Sequence, residues 1–265
     1  MQVIKIPGFA TEKTKGCKNT GNALLKSLKN FQFNEEGKNS EEIFLNLEEI
    51  HVNNSSFTAK NNLIYENALE IFDSQERAIF LGGDHSITLP VLKAFLFHCR
   101  LETKSPCLIV FDACPDCLNE NTKETNKNWM GELLSSDFPT ENILLVGLRN
   151  FSKDEKDFLR EKRVKTISIN SFMEDIENAC DSVMEFSSGK LLYVSFDFKS
   201  LDPVFMPCSS EIIPGGFSSR QIIYLLQRIK KIKNLKGIDL VELDSERKDD
   251  GQSILLGAKI LSELL

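Results

Sequence analysis

No run of apolar residues in this sequence approaches the ~20 that a membrane-spanning helix needs, so a membrane partner is not expected. The stretch Met1 to Thr20 has no apolar segment behind a basic start, so no secretion signal is expected. The seven cysteines are odd in number and irregularly spaced, unlike a disulfide framework. They imply reduced thiols in a cytoplasmic setting. Positive charge is also in short supply: 32 Lys and Arg face 39 Asp and Glu, for a net charge of −7. Nucleic acid is therefore not an expected partner, since a phosphate-binding surface needs clustered cations. The one basic run, Arg228 to Lys236, falls on a helix-to-strand passage and reads as a solvated face. No internal repeat, linker or low-complexity tract interrupts the chain, so residues 1–265 are expected to form a single domain.

What the sequence does contain is a repeating unit of short apolar β-runs and amphipathic helical stretches from residue 77 onward. Arg77–Leu81, Cys107–Phe111, Ile143–Gly147, Val164–Ile169, Leu191–Phe196 and Ile238–Leu243 are rich in Val, Ile, Leu and Phe and read as buried strands. Helical patterns are expected at Thr88–Cys99, Lys153–Lys162, Phe172–Phe186, Ser219–Lys231 and Ser253–Leu265. Ser152 before Glu155 has capping-box spacing, and Ser218 and Ser219 suit a helix start before Gln221. Among the first 76 residues, Gln2–Ile6 and Ile43–Leu47 read as strands and Asn62–Phe72 as a helix, with polar loops at 30–42 and 51–57. Alternation of β and α elements implies an α/β fold of three layers, a mostly parallel sheet with helices on both faces.

Three apolar strands end in acidic or imidazole groups. Ala78–Leu81 runs into Gly82-Gly83-Asp84-His85-Ser86, Leu108–Phe111 into Asp112-Ala113-Cys114-Pro115-Asp116-Cys117, and Leu191–Phe196 into Asp197-Phe198-Lys199-Ser200-Leu201-Asp202-Pro203. Ligands of open parallel sheets bind beyond the carboxyl ends of the strands, so these groups are expected to share one crevice. Residues two apart on an extended chain point the same way, which groups Asp112, Cys114 and Asp116, and also Asp197 and Lys199. Gathering several carboxylates without a cation is costly, because like charges raise one another's pKa. Carboxylates with one histidine suit Mn²⁺ or a similar hard cation. Cys114 and Cys117 also form a Cys-x-x-Cys pair, which fits redox chemistry or half a zinc site, and a thiolate would shift preference toward Zn²⁺. No second such pair exists, and His51 and His98 belong to no motif.

The ordered series Gly-Gly-Asp-His-Ser, Asp-Ala-x-x-Asp, Ser-Phe-Asp-x-x-x-Leu-Asp-Pro and Pro214-Gly215-Gly216 resembles the ureohydrolase family of arginases, agmatinases and formimidoylglutamases. The resemblance spans roughly residues 77–265 and implies an arginase-like fold and hydrolysis of a guanidino or amidino C–N bond with two Mn²⁺ ions. It further implies a small cationic guanidino or amidino substrate and assembly into a homo-oligomer. By position, His85, Asp112, Asp116 and Asp197 match the ligands of the family's first metal, and Glu242 matches the glutamate that binds the substrate.

The second metal of the family would take Asp112 and Asp197 together with a histidine and an aspartate, where this sequence has Cys114 and Lys199. The segment Thr125-Asn126-Lys127-Asn128-Trp129 aligns with one whose histidine moves protons, which puts Asn126 in that position. An ammonium binds a metal only when deprotonated, and beside two aspartates it stays charged. One divalent ion plus the Lys199 ammonium sums to +3 against −3 from Asp112, Asp116 and Asp197, so Lys199 can stand in for the second metal; alternatively its stem reaches out to solvent. One Mn²⁺-class ion is expected, with Asp197, Lys199 and Asn126 in the catalytic positions. Two functions remain open: weakened or altered hydrolysis, or an inactive family member kept as a scaffold or as a partner of an active subunit.

Overall fold

A computed structural model describes residues 1–54, 56–117 and 126–265 of the chain. One sheet of eight strands, all parallel, runs through it in the order β2-β1-β3-β8-β7-β4-β5-β6. The strands are β1 (Gln2–Ile6), β2 (Leu47–Glu49), β3 (Ala78–Gly82), β4 (Pro106–Phe111), β5 (Ile143–Val146), β6 (Lys165–Ile167), β7 (Leu191–Asp197) and β8 (Leu235–Val241). The helices among the described residues are α1 (Thr20–Leu28), α2 (Phe57–Ser74), α3 (Thr88–Leu101), α4 (Trp129–Leu134), α5 (Lys153–Glu161), α6 (Ile169–Glu174), α7 (Ile176–Phe186), α8 (Ser219–Ile229) and α9 (Gln252–Leu264). None is long and apolar enough to cross a membrane.

Strand periodicity divides the core into two layers. Ile79 and Leu81 of β3 face a cluster completed by α1, α7, α8 and α9, whereas Ala78 and Phe80 face one built from α2, α3 and α4. The central strands are apolar on both sides because both sides are covered. Helix α8 buries Ile222, Ile223, Leu225, Leu226 and Ile229, the spacing of one helical face. Capping boxes start α5 at Ser152 and α8 at Ser218, where the sequence placed them.

Four local expectations need correction. Ser40–Asn46 is a 3-10 helix, capped where the Asn39 side chain accepts from Glu41 N, so the strand expected at Ile43–Leu47 begins only at Leu47. The helix expected at Asn62–Phe72 starts earlier, at Phe57, because Ser56 accepts from Ala59 N; Ser55 of the preceding loop lies outside the described residues. The stretch Phe172–Phe186 is two helices, broken at Asp175, which is extended (φ −153°, ψ 96°) and caps α7 by accepting from Asn178 N. The strand expected over Val164–Ile169 covers only Lys165–Ile167, and Ile169 already belongs to α6.

Topology places the crevice. β3 and β4 follow one another in the chain, yet β8 and β7 stand between them in the sheet. The carboxyl ends of β3, β8, β7 and β4 therefore lie side by side, and these are the strands that lead into His85, Glu242, Asp197 and Asp112.

Candidate metal centre

The turn after β3 is shaped by close backbone packing. A Cβ on Gly83 would stand 1.7 Å from the Gly8 carbonyl oxygen, so no side chain fits there. Asp84 then caps the short turn His85–Ile87 by accepting from Ser86 N at 3.0 Å. Its other oxygen accepts from Ala10 N at 2.7 Å and Thr14 Oγ1 at 2.6 Å, latching the N-terminal segment to the crevice. Lys60 adds a second tie, donating to Phe9 O at 2.9 Å and Ser86 Oγ at 3.1 Å.

His85 is fully buried, with Trp129 packed over its ring at a centroid distance of 4.6 Å. Nδ1 of His85 lies 3.4 Å from Asp112 Oδ2, 3.7 Å from Asp116 Oδ2 and 3.1 Å from Asp197 Oδ2. One ligand atom from each of these four residues falls within 4.8 Å of every other. His85 Nδ1, Asp112 Oδ2 and Asp197 Oδ2 are buried and none is lined up in a hydrogen bond. Buried polar atoms left in this way are costly. One imidazole nitrogen and three carboxylate oxygens around a common point fit a divalent cation.

Lys199 occupies the other side of the same floor. Its ammonium is buried, 3.2 Å from Asp197 Oδ2, 3.4 Å from Asp116 Oδ2 and 3.7 Å from Asp112 Oδ1. The side chain thus turns into the crevice and not out to solvent. Burial alone would lower its pKa, but Asp112, Asp116 and Asp197 outweigh burial and hold it well above the ordinary lysine value. Burial likewise pushes Asp116 up, yet Lys199 and His85 prevail and keep it at about 2. Asp112 goes the other way: burial and the neighbouring Asp197 raise it well above the carboxylate range, with Lys199 pulling against them.

The loop that carries Lys199 is held by Arg149, which follows β5. Its guanidinium donates to the carbonyls of Lys199 (2.7 Å), Leu201 (3.2 Å), Ile213 (2.7 Å) and Pro214 (2.9 Å). Sequence reading missed this residue; a lone arginine just beyond a buried strand was the available signal. Two more partners were missed. Ser195 Oγ lies 3.0 Å from His85 Nε2 and itself donates to Asp239 Oδ1 at 2.7 Å. A serine two residues before Asp197, and a carboxylate inside the apolar run of β8, were their signals.

Glu242 and Asp116 both sit in the left-handed backbone region, at φ 69° and 46°. Such strain costs about 1–3 kcal/mol per non-glycine residue and collects at functional sites. Glu242 Oε1 accepts from His85 N at 2.8 Å and Asn126 Nδ2 at 2.9 Å, while Oε2 is buried without a partner. Burial pushes Glu242 up to about 7, with Lys199 lowering and Asp197 raising it. Asn126 is thus brought to the site; Thr125 of the same segment lies outside the described residues. Cys114 lies beside the cluster, not within it: its backbone N–H binds Asp112 Oδ1 at 3.1 Å, and its sulfur is 3.6 Å from Asn150 Nδ2. Burial raises its thiol pKa, opposite to an activated thiolate, and Cys114 and Cys117 are free thiols. Above the floor, a cavity of about 430 Å³ opens between the segment Thr11–Thr14, Lys127 and Glu211, with Lys199 at its base.

The model of the Arginase family matches residues 2–265. This chain belongs to the arginase family. It is 30% identical to the N(1)-aminopropylagmatine ureohydrolase of Thermus thermophilus over 190 residues, 69% of this chain and 60% of that protein. Arginase 1, mitochondrial, of Arabidopsis thaliana is 28% identical over 212 residues, 77% of this chain and 58% of that one. The matched stretch thus spans under two thirds of these relatives. Among solved structures, proclavaminate amidino hydrolase from Streptomyces clavuligerus superposes with a TM-score of 0.85 at 21% identity, covering 99% of this chain and 89% of that chain. A putative agmatinase from Clostridium difficile gives a TM-score of 0.85 at 22% identity, covering 99% and 94%. These structures share the arginase fold, with its single parallel sheet between helices.

Proposed function

We propose that this chain hydrolyses a C–N bond of a small guanidino or amidino compound with one divalent cation, the Lys199 ammonium standing where the family would hold a second. The observation that carries this reading is the convergence of four donor residues within 4.8 Å, with His85 Nδ1, Asp112 Oδ2 and Asp197 Oδ2 buried there and none of them lined up in a hydrogen bond. His85, Asp112, Asp116 and Asp197 would hold the ion, and an oxygen-rich set of this kind suits Mn²⁺ better than Zn²⁺. Bound there, a divalent cation supplies Lewis acidity and lowers the pKa of water.

The remaining roles belong to the protein. Lys199 contributes a fixed positive charge that offsets the aspartates without taking up a ligand position. Glu242 Oε2, buried and without a hydrogen-bond partner, would accept from an N–H of the substrate's amidinium. Net addition of water to the amidino carbon and cleavage of its bond to the substituted nitrogen releases urea and an amine from a guanidino substrate. Asn126 has no titratable proton, so the leaving amine takes its proton without help from that position. General acid–base assistance is typically worth about 10²–10⁴-fold, and slow turnover follows from its loss.

One observation favours a second reading, an inactive relative in which the ion is structural. The Asn126 amide already occupies one oxygen of Glu242. An assay for urea and ammonia release over a panel of guanidino and amidino compounds, with elemental analysis of the same protein, decides between them. Release that depends on the bound ion supports hydrolysis; a loaded protein silent toward every compound supports the structural role.

A further inference from the structure

Asp239 is a fully buried carboxylate within β8. Three hydroxyl groups donate to it: Ser195 Oγ to Oδ1 at 2.7 Å, and Thr88 Oγ1 and Tyr193 OH to Oδ2, each at 2.9 Å. Ser195 stands directly opposite Asp239 in the β7–β8 pairing, so the sheet itself sets this contact. Three donors converging on one carboxyl group match its ionised form, which only accepts. Serine has one hydroxyl proton. With that proton given to Asp239, Ser195 Oγ can meet His85 Nε2, at 3.0 Å, only as an acceptor. His85 therefore carries a proton on Nε2, and Nδ1 is the nitrogen left facing Asp112, Asp116 and Asp197.

We infer that Asp239 and Ser195 are positioning residues that order the proton on His85 and so reserve Nδ1 for the cation. Neither residue reaches the crevice; Asp239 acts through Ser195, and Ser195 through the imidazole. A carboxylate behind a metal-binding histidine fixes its tautomer in many proteins, and here a serine hydroxyl is interposed between the two. The consequence for cation binding rests on the proposed function, whereas the proton order does not.

The test uses full-length protein with ¹⁵N-labelled histidine and Zn²⁺ as a diamagnetic probe ion. Wild type should show an exchange-protected proton on His85 Nε2, with and without Zn²⁺. Ser195→Ala should lose that protection and weaken Zn²⁺ binding about 10–100-fold, the usual effect of removing such a partner. Asp239→Asn should have a similar effect, and the double variant should be no weaker than the weaker single one, because one residue acts through the other. A Ser195→Ala protein with unchanged protection and affinity would overturn the inference, as would losses that multiply in the double variant. If Asp239→Asn does not fold, Ser195→Ala decides alone, since Thr88 and Tyr193 still satisfy Asp239 in it. A wild type that shows the protected proton, sensitive to Ser195→Ala, but binds no Zn²⁺ would sink the cation site and support the proton order.

Discussion

The two sides of the crevice floor meet the same difficulty, crowded buried carboxylates, in opposite ways. On the His85 side the donor atoms converge on one point, and His85 Nδ1, Asp112 Oδ2 and Asp197 Oδ2 are lined up in no hydrogen bond. On the Lys199 side the chain provides its own cation, within 3.2–3.7 Å of the three aspartates. A tethered ammonium needs no binding equilibrium and no chelator removes it, but it offers no open coordination position. A buried side chain can thus keep the charge balance of such a floor without any coordination chemistry.

Removing the tethered charge should break this comparison most sharply. Lys199→Met leaves the aspartates uncompensated, and loss of one partner of a buried ion pair costs about 3–5 kcal/mol. Urea unfolding of chelator-treated protein would measure it, and added Mn²⁺ should recover much of the loss by binding the folded state. A change of no more than about 1 kcal/mol, the size expected of a solvent-exposed pair, would place the ammonium outside the cluster. The next effect concerns stoichiometry. Wild type should retain about one Mn²⁺ per chain after dialysis, whereas Lys199→Asp with Cys114→His should move toward two, because it restores a carboxylate and an imidazole together. Lys199→Asp alone should hold the second ion less well, and elemental analysis separates the three proteins.

Glu242→Gln should leave the ion in place and weaken a cationic substrate or inhibitor by about 1.5–3 kcal/mol, the worth of a hydrogen bond to a charged group. Calorimetry with a guanidino compound checks this, and loss of the ion in the same variant would put Glu242 among the ligands. The smallest effect is expected from Cys114→Ser. Its sulfur lies outside the converging group, so stability should shift by no more than about 0.5 kcal/mol and ion content should not change.

Much of this arrangement is legible in the sequence because it rests on strand ends. An apolar run that stops at a carboxylate declares both a buried strand and a crevice residue, which marked Asp112 and Asp197, while the resemblance to the family supplied the full set with His85 and Asp116. The direction of Lys199 is not legible, since a long stem permits either course and three aspartates from two different strand ends decide it. Arg149 escaped notice because its partners are backbone carbonyls, which leave no trace in side-chain patterns. The 3-10 turn over Ser40–Asn46 was hidden because its apolar residues suit a strand as well, and the cap at Asn39 settled the matter locally.

The latch formed by Asp84 has a kinetic side. Thr14 and Asp84 are 70 residues apart, Thr20 reaches Leu243 across 223, and Ser245 reaches Gly16 across 229. Contacts between such distant parts of the chain form slowly, because the loop they close must first surrender its entropy. The wall of the crevice thus joins segments near residues 14–20 to segments near 84 and 243–245, and closing it carries the entropic cost of ordering the long stretches of chain between them.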